Sequence, residues 1–239
     1  MIAALLTIGN ELVSGDVPNT NASWLAKRLE ALGVRVVLAA AVPDELDAIV
    51  DFIRREALRV DHLIVTGGLG GTPDDITREA LAAAFDVPQE NVPELEADLR
   101  GRFTRDPDYA ARWALLPQGS APLENPRGGA PGFRIANVWV LPGLPSEMEA
   151  MFDRYADAFR GNAPIASWRR VLQLGESEIA PLLVQTTERW PGVLVGSYPR
   201  FLPDRREVEV VLKSADAAAL AEAVSWVEPA LEEAAGTLR

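Results

Sequence analysis

The stretch His62-Leu63-Ile64-Val65-Thr66-Gly67-Gly68-Leu69-Gly70-Gly71-Thr72-Pro73-Asp74-Asp75 decides how the chain is read. His62 to Thr66 is short and apolar, without the polar alternation of a half-exposed strand, so it reads as a strand buried on both faces of a parallel sheet. It runs into a glycine-rich turn, beyond which Ile76 to Phe85 is helical in pattern. Glycines admit positive φ and let backbone approach a ligand closely, while the first N–H groups and the dipole of a helix favour an anion. Gly67, Gly68, Leu69, Gly70, Gly71 and Thr72 are therefore candidate phosphate-binding positions. The turn is not a Walker loop, since no Gly-Lys-Ser/Thr follows, and its spacing is not the dinucleotide fingerprint Gly-x-Gly-x-x-Gly. A second reading stays open, in which the glycines only shape a tight connection and Thr72 or Asp74 caps the helix.

Towards the N-terminus the pattern repeats. Ile2 to Ile8 is a continuous apolar strand, followed by a polar loop from Gly9 to Asn19 and a helix capped by Thr20 or Asn21 that stops at Gly33. Val34 to Val42 reads as the next strand, and Asp44 as the cap of a helix with Leu46, Ile49, Val50 and Ile53 on one face. Alternation of strands and helices predicts an α/β fold with a mostly parallel sheet. Towards the C-terminus, Val92 to Phe103 looks helical, while 104–132 is rich in Pro, Gly and Arg and reads as an excursion over the ligand side of the sheet. A final strand, Val138 to Leu141, leads through Pro142-Gly143-Leu144-Pro145-Ser146-Glu147 into a helix. Gly161 to Pro164 reads as a linker, and a strand, helix, strand, strand, helix pattern beyond it makes a second, smaller α+β domain. The expected domains are 1–163 and 164–239.

Composition narrows the chemistry. The 239 residues include no Cys and one His, which removes disulfides, thiol nucleophiles, thiolate zinc sites and multi-histidine metal centres. Any metal must be bound by oxygen. A net charge of -12 argues against nucleic acid as partner, because non-specific binding draws on a basic surface. No apolar run reaches membrane-spanning length and no secretory leader pattern opens the chain, so a cytoplasmic location and no membrane partner are expected.

Asp74 and Asp75 beside a phosphate-type turn would repel an anion unless a cation bridges them, and Mg²⁺ sites commonly join one or two carboxylates to substrate phosphates. The pair equally suits a first helical turn through the helix dipole. In open α/β sheets ligands bind beyond the carboxyl ends of the strands, where two more loops converge. The first carries Gly9, Asn10, Glu11, Asn19 and Asn21. The second carries Pro142, Gly143, Pro145, Ser146 and Glu147. Ordinary turn and cap roles are open for each. A serine hydrolase is disfavoured, since Gly-x-Ser-x-Gly is missing and His62 sits at the start of its strand.

Four segments together resemble the CinA family of competence/damage-inducible proteins, specifically its molybdopterin-binding-like (MoCF) domain. They are Thr7 to Leu12 with Asn19-Thr20-Asn21, Thr66 to Gly70 with Thr72 and Asp74-Asp75, Asn125-Pro126 with Ala130 to Phe133, and Leu141 to Met148. Gly175-Glu176-Ser177-Glu178 and Gly196-Ser197-Tyr198-Pro199 resemble the small middle domain of CinA, and the amidase domain of full-length CinA is not expected within this sequence. The resemblance implies a three-layer α/β/α fold and a nucleotide or pterin ligand. It also implies hydrolysis of the pyrophosphate of ADP-ribose or a related dinucleotide to AMP and a sugar phosphate, with Mg²⁺ or another divalent cation and with K⁺, and a homo-oligomer. Carried over by position, Gly67 to Thr72 would hold the pyrophosphate and Asp74 and Asp75 the metal, as the catalytic pair. The family often has Asp where this chain has Asn10 and Asn19, which leaves Glu11 and Asp16 as substitutes. The rival expectation is a non-catalytic nucleotide- or pterin-binding module acting through oligomeric contacts. Molybdopterin adenylyltransferases favour Gly-Gly-Thr-Gly followed by Arg-Asp, which this chain lacks.

Overall fold

The computed structural model describes residues 1–161, 163–203 and 205–236 and divides into two compact units, Met1–Asn162 and Ala163–Arg239. Residues 237–239 of the expected second domain, Asn162 of the linker and Asp204 lie outside the described residues.

The first unit runs β1 (Ile2–Ile8), α1 (Asn10–Ser14), α2 (Thr20–Ala31), β2 (Arg35–Val42), α3 (Leu46–Glu56), β3 (His62–Thr66), α4 (Thr77–Ala84), β4 (Gln89–Asn91), α5 (Pro93–Arg102) and α6 (Pro107–Ala111). A 3-10 turn (Arg112–Ala114) leads to β5 (Leu115–Pro117), β6 (Ala121–Leu123), β7 (Gly132–Ile135), β8 (Val138–Leu141), α7 (Pro145–Arg154) and a second 3-10 turn (Ala156–Phe159). Six strands form one sheet in the order β2-β1-β3-β8-β7-β6, parallel from β2 to β8 and antiparallel beyond it. Thr7 pairs with both Ala41 and Thr66, and Thr66 with Leu141, so four strands end together along one edge.

The period of two along a strand sends alternate residues to opposite faces, and both faces here are covered. Ala4, Leu6 and Ile8 of β1 join Leu63 and Val65 of β3 beneath α3, α4 and α5, whose contributions include Ile49, Ile53, Leu81 and Leu99. Ala3, Leu5 and Ile64 point the other way, against Leu25 and Leu29 of α2 and Met148, Met151 and Phe152 of α7. These are the three layers expected. Each fully buried Leu, Ile or Phe contributes about 1.5–3 kcal/mol.

Three expectations change. The polar loop after β1 contains the short helix α1. Phe133 to Leu141 holds two strands, split at Ala136, whose φ is +50°, and Asn137, whose side chain donates to the carbonyls of Ala57 and Val60. The 104–132 segment, expected as an excursion over the ligand side of the sheet, carries regular structure, since it supplies α6, a 3-10 turn, β5 paired with β4, and the edge strand β6. Its strands are three residues long, too short for periodicity to announce them.

The second unit runs β9 (Ala166–Leu172), α8 (Glu176–Arg189), β10 (Leu194–Phe201), β11 (Arg206–Ser214) and α9 (Ala217–Gly236). Its antiparallel sheet has the order β10-β11-β9. Val208, Val210 and Leu212 of β11 pack on Ile179 and Leu183 of α8 and on Leu220, Ala223, Val227 and Leu231 of α9. Among the described residues no helix is long and apolar enough to cross a membrane.

Candidate functional site

The glycine turn leaves β3 at the shared strand edge, and α4 starts only at Thr77, so the turn is ten residues long. Gly67 and Gly68 have φ of +106° and +63°. A Cβ at Gly67 would strike the Ile8 carbonyl oxygen, and one at Gly68 the Thr77 hydroxyl, so both need glycine for conformation and for space. Four successive carbonyls are held inwards. The Thr77 hydroxyl donates to Gly67 O at 2.8 Å and the Thr77 N–H to Gly68 O at 3.2 Å. The Arg78 guanidinium donates to Leu69 O at 2.9 Å and to Gly70 O at 2.7 Å, and Trp113 Nε1 donates to Gly70 O at 3.1 Å. In a trans peptide the N–H points opposite to its carbonyl, and no peptide here is cis. The N–H groups of Gly68, Leu69, Gly70 and Gly71 are therefore turned away from those donors, as a backbone nest for an anion. Among the described residues, those of Gly68, Leu69 and Gly71 have no acceptor.

Asp75 takes the remaining place. Its carboxylate accepts from Gly70 N–H and Thr72 N–H, each at 2.9 Å, and from the Thr72 hydroxyl at 2.5 Å. Two of the expected phosphate donors, Gly70 and Thr72, are thus committed to a carboxylate of the chain itself. Asp74 is exposed, and the Thr72 hydroxyl beside it, with its own backbone N–H, holds its carboxyl below the usual carboxylate range. The expected Asp74–Asp75 metal pair is not a chelate, because Asp75 already braces the turn. Thr72 and Asp74 do not cap α4, whose preceding residue is Ile76 without a side-chain cap.

A third carboxylate was read from sequence as a cap. Asp44 does not cap α3; it accepts from the Asn10 N–H at 2.8 Å, and Asn10 Oδ1 lies 3.4 Å from its N–H in return. Partial burial pushes the Asp44 carboxyl up, and the Asn10 N–H opposes this; Asp74, Glu11 and Asp75 add to the rise. The carboxylate of Glu11 folds back over Gly9, where a Cβ would meet it. Asp16 accepts from the Ser14 hydroxyl. No group of three carboxylates or histidines among the described residues is arranged to hold a metal. A hard cation that keeps its waters and binds substrate phosphates needs only one or two carboxylates, and Asp74 with Asp44 fits that smaller demand.

The neighbouring loops divide. A cleft of about 100 Å³ at the ends of β1 and β3 is lined by Glu11, Asn19, Asn21, Thr66, Gly143 and Pro145, among others. Asn21 Nδ2 donates to Gly143 O at 2.8 Å, and its buried Oδ1 has no partner. Gly143 packs against Gly67, where a Cβ would lie 3.2 Å from the Gly67 Cα. Asn19, rather than Thr20 or Asn21, caps α2 by accepting from Ala22 N–H, and its amide donates to the Thr7 hydroxyl. Both ends of Asn19 are engaged. Glu147 also serves structure: it accepts from the buried Asn125 amide and lies over Gly129. Ser146 is exposed in the first turn of α7 and caps nothing, and Pro142 is buried at the end of β8. His62 is buried at the far end of β3, edge-on to Phe159 and outside the site. Asp44, Thr77, Arg78 and Trp113 serve the turn without being marked for it in the sequence; only Thr77, a hydroxyl ten residues after Gly67 at a helix start, carries a local signal.

Comparison with known proteins agrees with this architecture. Residues 4–160 match the family model described as probable molybdopterin binding domain, and residues 166–236 match that of the FAD synthase middle domain. A protein of Pyrobaculum aerophilum is 39% identical over 213 residues, covering 83% of this chain and 80% of the relative. A CinA-like protein of Frankia casuarinae is 39% identical over 208 residues, covering 79% of this chain but 48% of that longer relative, so the chain spans about half of it. The crystal structure of CinA from Thermoplasma acidophilum, described as of unknown function, superposes with a TM-score of 0.63 at 30% identity, covering 66% of this chain and 97% of that one. The chain belongs to the probable molybdopterin binding domain family, in the CinA-like arrangement with a FAD synthase middle-domain segment behind it.

Proposed function

We propose that the first unit binds a phosphate-bearing nucleotide and hydrolyses a pyrophosphate bond of the ADP-ribose type, giving AMP and a sugar phosphate. One observation carries the reading: backbone N–H groups of Gly68 and Leu69 without acceptors lie on a turn beside Asp44, whose carboxyl is pushed up by burial first and then by the like charges of Asp74, Glu11 and Asp75. An anion site flanked by Asp44, Asp74 and Glu11 is consistent when the anion arrives with a cation. Asp74 and Asp44 would hold Mg²⁺ or another divalent ion, which supplies charge neutralisation at the phosphoryl oxygens and a more acidic water. The chain's own part is positional. Gly68 and Leu69 N–H groups fix the phosphate oxygens, and Asp75 with Thr77 and Arg78 keeps those donors aimed, so little reorganisation accompanies the reaction. K⁺ dependence, a homo-oligomer and a cytoplasmic location belong to the same proposal.

Chromatographic product analysis tests it with ADP-ribose, FAD, NADH and ATP, with Mg²⁺, with chelator, and with or without K⁺. AMP should appear from ADP-ribose and vanish on chelation, and Asp74→Asn should lose turnover with an unchanged melting curve. The second reading, a non-catalytic nucleotide or pterin module, is favoured by the commitment of Asp75 to the turn. Saturable binding without product selects it. Light scattering of the purified chain reports the oligomer.

A further inference from the structure

The distal half of the glycine turn borders a second cleft. Gly70, Gly71, Thr72 and Asp75 line it from one side, with Arg78, and Arg112 lines it from the 3-10 turn. Its volume is about 330 Å³, within the range of small-molecule pockets. Three features give it anion chemistry. Arg78 is 6% exposed and its guanidinium donates only to carbonyls, so Glu79 and Asp75 offset its charge through space without pairing with it among the described residues. Arg112 is exposed, and its side chain makes no hydrogen bond or ion pair among the described residues. Gly71 offers an N–H without an acceptor. On the opposing side, both oxygens of Asp75 are hydrogen-bonded, and Glu79 is exposed in the first turn of α4.

We propose that this cleft is a second anion subsite, which takes the distal phosphate of a ligand whose first phosphate rests on the Gly68 and Leu69 N–H groups. Arg112 is the contact residue, with a planar fork suited to two phosphate oxygens. Arg78 acts from beneath, holding the turn and supplying buried positive charge. The inference rests on the phosphate-bearing ligand proposed above and adds why that ligand carries two phosphates.

Calorimetric titration with AMP, ADP and ADP-ribose in Mg²⁺ tests it on the whole chain, with Arg112→Ala and Arg112→Lys beside the unaltered protein. ADP should bind the unaltered protein more tightly than AMP. Arg112→Ala should weaken ADP about tenfold, the scale of a lost charged hydrogen bond, and leave AMP within about twofold, with Arg112→Lys between. Equal weakening of AMP and ADP, or no change in either, overturns the subsite while the phosphate reading stands. Failure of the unaltered protein to bind any of the three overturns the phosphate reading, and the subsite with it.

Discussion

Asp75 shows how a residue chosen for one chemistry serves another. Its three hydrogen bonds occupy the carboxylate and lock Gly70 and Thr72, so its effect on a ligand passes through the backbone. Asp75→Asn keeps the volume but turns an NH₂ towards N–H donors, and should cost about 1–3 kcal/mol of stability in chemical unfolding. It should also raise KM for a pyrophosphate more than it lowers kcat. Asp44 carries the opposite sign. Burial holds its folded-state carboxyl above the ordinary 3.8, so the group favours the fold below that value and loses that contribution as pH rises through the folded value. Asp44→Asn retains an acceptor for the Asn10 N–H while removing the repulsion. At pH 7 its Tm should rise by about 1–2 °C, and divalent-ion dependence should weaken. His62 is held below its ordinary 6.5 by burial, aided by Arg134 and the N-terminus and opposed by Asp61. Its contribution is complete above pH 6.5 and declines as pH falls from 6.5 towards the folded value, because the unfolded chain takes the proton first. Neither ring nitrogen has a hydrogen-bond partner among the described residues, so His62→Phe should melt with a smaller decrease between pH 7 and pH 5 than the unaltered protein.

At the scale of elements, the glycine turn is shaped from below by α4 and the 3-10 turn after α6. Gly67→Ala would force a side chain into the Ile8 carbonyl at a φ of +106°, and should destabilise by about 2 kcal/mol or more, read as a lowered denaturation midpoint. Arg78→Met removes a buried charge of similar volume, so stability should change little, yet the Leu69 carbonyl loses its donor and the Gly70 carbonyl keeps only Trp113 Nε1. Nucleotide binding should weaken while Tm holds, a separation that titration and melting resolve together. These contacts explain the uneven legibility of the elements. β1 and β3 announce themselves because burial on both faces leaves continuous apolar runs, and β2, an edge strand alternately exposed and half-buried, shows the same apolar run. β4 to β7 are three or four residues long and gain their form from partners elsewhere, such as β4 from β5 and β6 from β7. Ala136 enters the left-handed region without a glycine or asparagine to mark it.

For the whole molecule, the net charge of -12 opposes the approach of a free phosphate ligand, whereas the nest and the two arginines act only within a few ångströms. Raising monovalent salt from about 20 to 150 mM at fixed Mg²⁺ should therefore leave ADP-ribose affinity unchanged or strengthen it about twofold, by titration. A steep fall would locate the attraction in long-range charge.

The local sequence determined the mostly parallel sheet, the chain order of its first three strands with their helices, the separate α+β segment and the edge where the loops after the strands converge, because these follow from apolar periodicity and glycine conformation. That Gly67 and Gly68 admit no side chain was decided by the fold, through positive φ and the Ile8 carbonyl and Thr77 hydroxyl packed against them. Tertiary structure alone decided which polar groups are free. Asp75, Asn19 and Glu147 look available in sequence and are consumed by hydrogen bonds. Asp44, Arg78 and Arg112 look ordinary and are brought to the turn from α3's approach, α4 and the 3-10 turn. Hydrogen-bond commitment depends on atoms within about 3 Å in space, and spacing along the chain carries no record of it.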